Sequence, residues 1–278
     1  MKLALIVALA AALVATAPAA ADTLVAPAPG ARHLEADLGY AVWFAPAGNR
    51  WRLTVRDRDG MITQPAGVPS LGAPTDPAIG YTGPGISVLY SRCRGASTTR
   101  GCDVYRYDLK RGGREKPVRI MSSRRYSETN PGVRGATYGF VRRGGPRPGT
   151  YSYKADSSGL RRLSRRPADH VAVSMRILYT FGRTAVLRSL SGGRPRTYRL
   201  PAAPRDVFLT RYRFGFLAAG GRVFQTGRFA SSGTQHAVQP QEAGRRLPAS
   251  TASLGLDSEK VELFLDAEGV KAVDPELF

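Results

Sequence analysis

Ala41-Val42-Trp43-Phe44-Ala45-Pro46-Ala47-Gly48-Asn49-Arg50-Trp51-Arg52-Leu53-Thr54-Val55-Arg56 reads as two strands joined by a turn. Ala41 to Phe44 is an unbroken apolar run, as in a strand covered on both faces. Pro46-Ala47-Gly48-Asn49 supplies turn chemistry: proline presets φ, and glycine and asparagine tolerate positive φ. From Trp51 the pattern alternates. Trp51, Leu53 and Val55 face one way, and Arg52, Thr54 and Arg56 face the other, so this second strand lies nearer solvent.

The same order of runs comes round six times. The first runs are Ala41 to Phe44, Ser87 to Tyr90, Tyr138 to Val141, Ile177 to Phe181, Phe214 to Leu217 and Val261 to Leu265. Their partners are Trp51 to Val55, Val104 to Leu109, Tyr151 to Ala155, Thr184 to Leu190, Arg222 to Arg228 and Gly269 to Val273. A period of about 40 residues carried by strands marks propeller blades. An innermost strand is expected before each pair, at Leu38 to Tyr40, Ala78 to Tyr81, Val133 to Ala136, Val171 to Val173, Val207 to Leu209 and Ala252 to Leu256. A weaker outer strand follows, at Met61 to Gln64, Pro117 to Met121, Leu160 to Ser164, Arg196 to Leu200 and Gln235 to Gln239.

The last unit lacks that outer strand, while Thr23-Leu24-Val25-Ala26 stands spare before the first unit. An open ring leaves two sheet edges unpaired. The expected fold is therefore all-β: a six-bladed β-propeller with four strands per blade. Thr23 to Ala26 pairs with Gly269 to Val273 to close the last blade, burying Leu24 or Val25.

Asp76-Pro77-Ala78-Ile79-Gly80-Tyr81 with Gly85-Ile86-Ser87-Val88-Leu89-Tyr90, and Glu128-Thr129-Asn130-Pro131-Gly132-Val133 ahead of Tyr138-Gly139-Phe140, resemble the TolB-type, WD-like propeller repeat. In that family an acidic or polar residue and a proline precede the innermost strand. Tyr81-Thr82-Gly83-Pro84-Gly85 stands where the family has a Ser-Pro-Asp-Gly turn. The resemblance covers roughly residues 30 to 278 and implies a periplasmic or extracellular propeller with a binding role.

Lys2, the apolar Leu3 to Val14 and the small Ala19-Ala20-Ala21 read as a signal peptide over 1–21, leaving 22–278 as one propeller domain. The apolar run is too short for a membrane span. The expected protein is exported, secreted or periplasmic, and monomeric. Its two cysteines, Cys93 and Cys102, are expected to form a disulfide worth about 2–3 kcal/mol. The net charge is +20, from 41 basic and 21 acidic residues. Two readings stand side by side: a polyanion partner, or a composition that places arginine wherever a solvated cation serves. No nucleic-acid module accompanies the arginines, so no specific nucleic-acid partner is expected.

Catalytic motifs are absent: no Gly-x-Ser-x-Gly elbow, no phosphate loop, no spaced histidine pair among His33, His170 and His236. An acid does recur before the innermost runs: Asp37, Asp76, Glu128, Asp169 and Asp206. His170 follows Asp169, and His33 and Glu35 precede Asp37. On a propeller such residues converge on the channel mouth, where they can hold a cationic ligand or a divalent cation such as calcium. The structural alternative is that the acids cap turns by accepting backbone N–H groups. No other cofactor is expected. The leading function is a non-enzymatic scaffold for a macromolecular partner, protein or cell-envelope polymer. The alternatives are a polysaccharide lyase or hydrolase at the channel mouth using His170, and a non-specific polyanion-binding surface.

Overall fold

The computed structural model describes residues 23–83, 85–156, 159–226, 229, 239–257 and 261–273. After β1 (Thr23–Pro27), the first blade is β2 (Arg32–Asp37), β3 (Tyr40–Ala47), β4 (Arg50–Arg56) and β5 (Ile62–Thr63). The second is β6 (Ala78–Thr82), β7 (Gly85–Arg92), β8 (Asp103–Asp108) and β9 (Lys116–Pro117). The third is β10 (Ser127–Arg134), β11 (Thr137–Arg143), β12 (Gly149–Lys154) and β13 (Gly159–Ser164). The fourth is β14 (Val171–Val173), β15 (Arg176–Phe181), β16 (Thr184–Ser189) and β17 (Arg196–Arg199). The fifth is β18 (Asp206–Leu209), β19 (Phe214–Leu217), β20 (Arg222–Gln225) and β21 (Gln241–Arg246). The last is β22 (Ser253–Asp257), β23 (Val261–Leu265) and β24 (Gly269–Val273), with β1 as its outer strand. Every blade is antiparallel, and the six form a propeller.

The core lies between the blades. Val42 and Phe44 of blade 1 pack with Ile79, Val88 and Tyr90 of blade 2, and Ala78 and Leu89 of blade 2 with Val133, Tyr138 and Phe140 of blade 3. Similar clusters fill the remaining junctions. The second strand of each blade meets both neighbours, which is why its run is apolar without alternation. At the tightest approaches no side chain fits: a Cβ on Gly80 would stand 2.6 Å from the Val133 carbonyl oxygen.

Closure is as expected. Thr23 pairs with Ala272 and Pro27 with Gly269, with an irregularity between Leu24 and Ala26. That break changes which side chain turns inward. Ala26 is buried among Leu263, Leu265, Val270, Leu34 and Trp43, whereas Leu24 is exposed and Val25 only half-buried.

Several strand boundaries differ from the sequence expectation. The innermost strand of blade 1 is Arg32–Asp37; Leu38-Gly39, expected to open it, is the positive-φ turn after it. That of blade 3 begins at Ser127, with a bulge between Thr129 and Gly132. Beyond Lys116–Pro117 the expected outer strand of blade 2 coils into a 3-10 turn, Arg119–Met121. The outer strand expected at Gln235 to Gln239 falls mostly outside the described residues; the observed one is Gln241–Arg246. The leader, 1–21, lies outside the described residues. Cys93 and Cys102 are bonded, as expected.

Candidate site in the propeller channel

The innermost strands enclose a cavity of about 510 Å³. They run the same way round the ring, so their starts meet at one end and their hairpin turns at the other. At the start end His33 Nδ1 lies 2.5 Å from Asp76 Oδ1, and Asn130 Nδ2 donates to the Asp169 carbonyl at 2.6 Å. Asp206 Oδ2 accepts from Ser253 Oγ at 2.7 Å and from the Leu254 N–H at 2.8 Å. At the turn end Arg134 of blade 3 reaches past blade 2 to Asp37 of blade 1, at 2.9 Å.

β2 supplies the axis of the site through its two-residue period. Leu34 and Ala36 face the core, while His33, Glu35 and Asp37 line the cavity in a column from end to end. The lining carries four carboxylates (Glu35, Asp37, Asp76, Asp206) and two histidines (His33, His170) against two guanidinium groups (Arg134, Arg211). Carboxyl groups thus outnumber guanidinium groups in the lining of a chain whose net charge is +20.

The protons follow from that crowding. Burial, reinforced by the charges of Asp206, Asp37 and Asp76, pushes the Glu35 carboxyl well above its ordinary value. Burial also raises Asp206, against the hydrogen bonds from Leu254 and Ser253. Burial opposes ionisation of both His33 and Asp76, but their mutual hydrogen bond and attraction outweigh it, raising His33 and lowering Asp76. The His33–Asp76 pair thus favours imidazolium with carboxylate, while the neighbouring Glu35 resists ionisation.

Four of the expected residues, Asp37, Asp76, His170 and Asp206, line the cavity. They do not share one mouth: because Leu38-Gly39 is a turn, Asp37 lies at the turn end, opposite Asp76 and Asp206. His33 holds the place at the start end that Asp37 was expected to fill. Glu128 does not line the cavity. It lies inside β10, fully buried, and pairs with Arg142 Nε at 3.1 Å across the blade. The bulge after Thr129 presents Asn130 to the channel instead. Asp169 is not in the lining either. Its Oδ2 accepts the Gly182 N–H at 2.6 Å, the turn-capping role that was its structural alternative. Glu35, noted with His33 ahead of Asp37, lines the cavity as well, whereas Ser253 was missed as a site residue. Among the described residues no three His, Cys, Asp or Glu side chains gather closely enough to hold a metal ion. Nor is any helix there long and apolar enough to cross a membrane.

No family model and no curated protein matches the sequence. Among solved structures the chain is similar to a propeller in a nidogen/laminin complex, at 12% identity and TM-score 0.54, over 72% of this chain and 77% of that one. It is also similar to AofleA from Arthrobotrys oligospora, at 11% identity and TM-score 0.54, over 90% and 84%. TolB from Acinetobacter baumannii is similar at 13% identity and TM-score 0.49, over 77% of this chain and 56% of that one. At such identities the likeness concerns the fold.

Proposed function

We propose that the chain is an exported, non-enzymatic propeller that binds a macromolecular partner at the turn end of its channel. One observation carries the reading. Tyr81, Met175 and Tyr212, at the ends of three innermost strands, are 54%, 56% and 39% exposed. Met175 and Tyr212 line the channel with Arg134 and Arg211, and Tyr81 stands near the same end of its own strand; exposed apolar side chains beside arginines have the composition of a binding surface. The disulfide suits an oxidising compartment, in keeping with export. The solved nidogen/laminin complex shows that a similar ring can take part in a protein complex.

The experiment is capture from the producer's envelope proteins and cell-wall fractions, run with the wild type and with Tyr81→Ser/Met175→Ser. A species held by the wild type and reduced at least ~10-fold by the variant supports the reading. Equal capture by both removes the rim, and capture of nothing by either removes the partner. A second reading, acid–base chemistry on a polysaccharide, is favoured by the His33–Asp76 pair, a carboxylate-oriented imidazole. Turnover of a polyuronate that is lost in His33→Gln would establish it.

A further inference from the structure

Blade 3, residues 127 to 168, carries nine basic residues and two acidic ones. Two of the nine are neutralised: Arg134 by Asp37 and Arg142 by Glu128. Five others, Arg143, Arg147, Arg162, Arg165 and Arg166, lie where the turn between β11 and β12 meets the end of β13, and neutral acceptors hold the guanidinium groups of two of them. Arg143 Nη2 donates to the Ala168 carbonyl at 3.0 Å. Arg162 Nη2 donates to the carbonyls of Pro148 and Arg165. The Arg147 carbonyl accepts from Tyr151 OH at 2.8 Å, and the Arg166 carbonyl from Thr150 Oγ1 at 3.0 Å. Arg166 lies over the Phe181 ring, 5.0 Å from its centroid.

Among the described residues none of these five guanidinium groups meets a carboxylate. Glu128 is buried on Arg142, and Asp169 is turned to the Gly182 N–H. Arg147, Arg162, Arg165 and Arg166 are exposed and Arg143 half-buried. Elsewhere arginines do find acids, as in Arg92–Glu115 and Arg246–Glu242. At this corner three of the five guanidinium groups are positioned by neutral contacts, and none is compensated by an acid.

We propose that this corner docks a linear phosphodiester polymer of the cell envelope, of the polyol-phosphate class. A guanidinium fork matches two phosphate oxygens, and a repeating phosphate chain can engage neighbouring forks in turn. The disulfide suits an oxidising compartment, where nucleic acid is not the resident polyanion. The inference rests on reading the protein as an exported binding propeller. It concerns a different face from the apolar rim, so the two fail separately.

The test is titration of the full-length mature protein with poly(glycerol phosphate), polygalacturonate and a single-stranded oligonucleotide over a range of salt. Arg147→Glu/Arg165→Glu is compared with Arg111→Glu/Arg114→Glu, which changes net charge equally on blade 2. The expected result is binding of poly(glycerol phosphate) that weakens with salt at a logarithmic slope of roughly −2 to −3.5, for three to five contacts. The blade 3 variant weakens it at least ~10-fold and the blade 2 variant less than about twofold. Equal losses in both variants, tighter binding of either other polymer, or no binding at low salt each overturn the proposal. The Tyr81→Ser/Met175→Ser capture result stands independently of all three.

Discussion

Glu35 sits in mid-channel with three other carboxylates facing it, and its proton is the most displaced feature of the site. A carboxyl whose folded pKa is raised contributes stability that is complete below its unfolded pKa of 4.5 and disappears as pH rises through the folded value. Glutamine keeps the neutral form at every pH. The melting temperature of Glu35→Gln should therefore fall less than that of the wild type between pH 5 and pH 8, and end a few degrees above it. Parallel curves would show that Glu35 ionises without cost. His33 also loses its contribution as pH rises through its raised value, but it does so in both proteins. At this scale the sequence was legible in kind more than in place. Acids and histidines do converge on the channel, yet Asp37 and Glu128 were misplaced. Both errors came from the phase of a strand: Leu38-Gly39 adopts positive φ and ends β2, and β10 begins at Ser127, six residues before Val133, and bulges at Asn130. Neither a turn made with leucine nor a bulge has a strong sequence signature.

At the scale of the element, blade 3 depends on one arginine. Arg142 of β11 bonds Glu128 at 3.1 Å and the Ile120 carbonyl at 3.0 Å. It stacks 4.5 Å from the Tyr126 centroid and 5.0 Å from that of Tyr151. Glu128 is fully buried, and its Oε2 has no partner. Burial pushes this carboxyl up to about 7, against the pull of Arg142. Arg142→Met removes the charge that favours ionised Glu128, so a buried carboxylate stands alone only well above pH 7, where the loss should be about 3–5 kcal/mol. The cost should shrink as pH falls toward about 7 and Glu128 takes its proton. Adding Glu128→Gln should restore part of the loss at pH 9, which denaturant titration of both variants would measure. A double variant as unstable as the single one would assign the effect to lost stacking alone. The second and third strands of the blades were readable because burial between neighbours and alternation toward solvent each leave a pattern. Of the outer strands, those expected at Leu160 to Ser164 and Arg196 to Leu200 are present, whereas β5 and β9 are two residues each, exposed and without period.

For the whole molecule, everything proposed stands on a closed ring. The channel, the rim of turns and the arginine corner are rigid only if blade 6 is held to blade 1. Ala26 packs into the apolar cluster that joins those two blades, and Ser253 Oγ accepts the Leu34 N–H at 3.0 Å across the same junction. Removing residues 22–28 would strip β24 of its outer partner, with each lost ladder bond worth roughly 0.5–1.5 kcal/mol net. It would also uncover an edge able to pair with another chain. The direct measurement is thermal unfolding together with sedimentation of the truncated and intact mature proteins at equal concentration. A lower melting temperature with concentration-dependent association is the expected result. A truncated protein as stable and as monomeric as the intact one would contradict closure by the N-terminal strand.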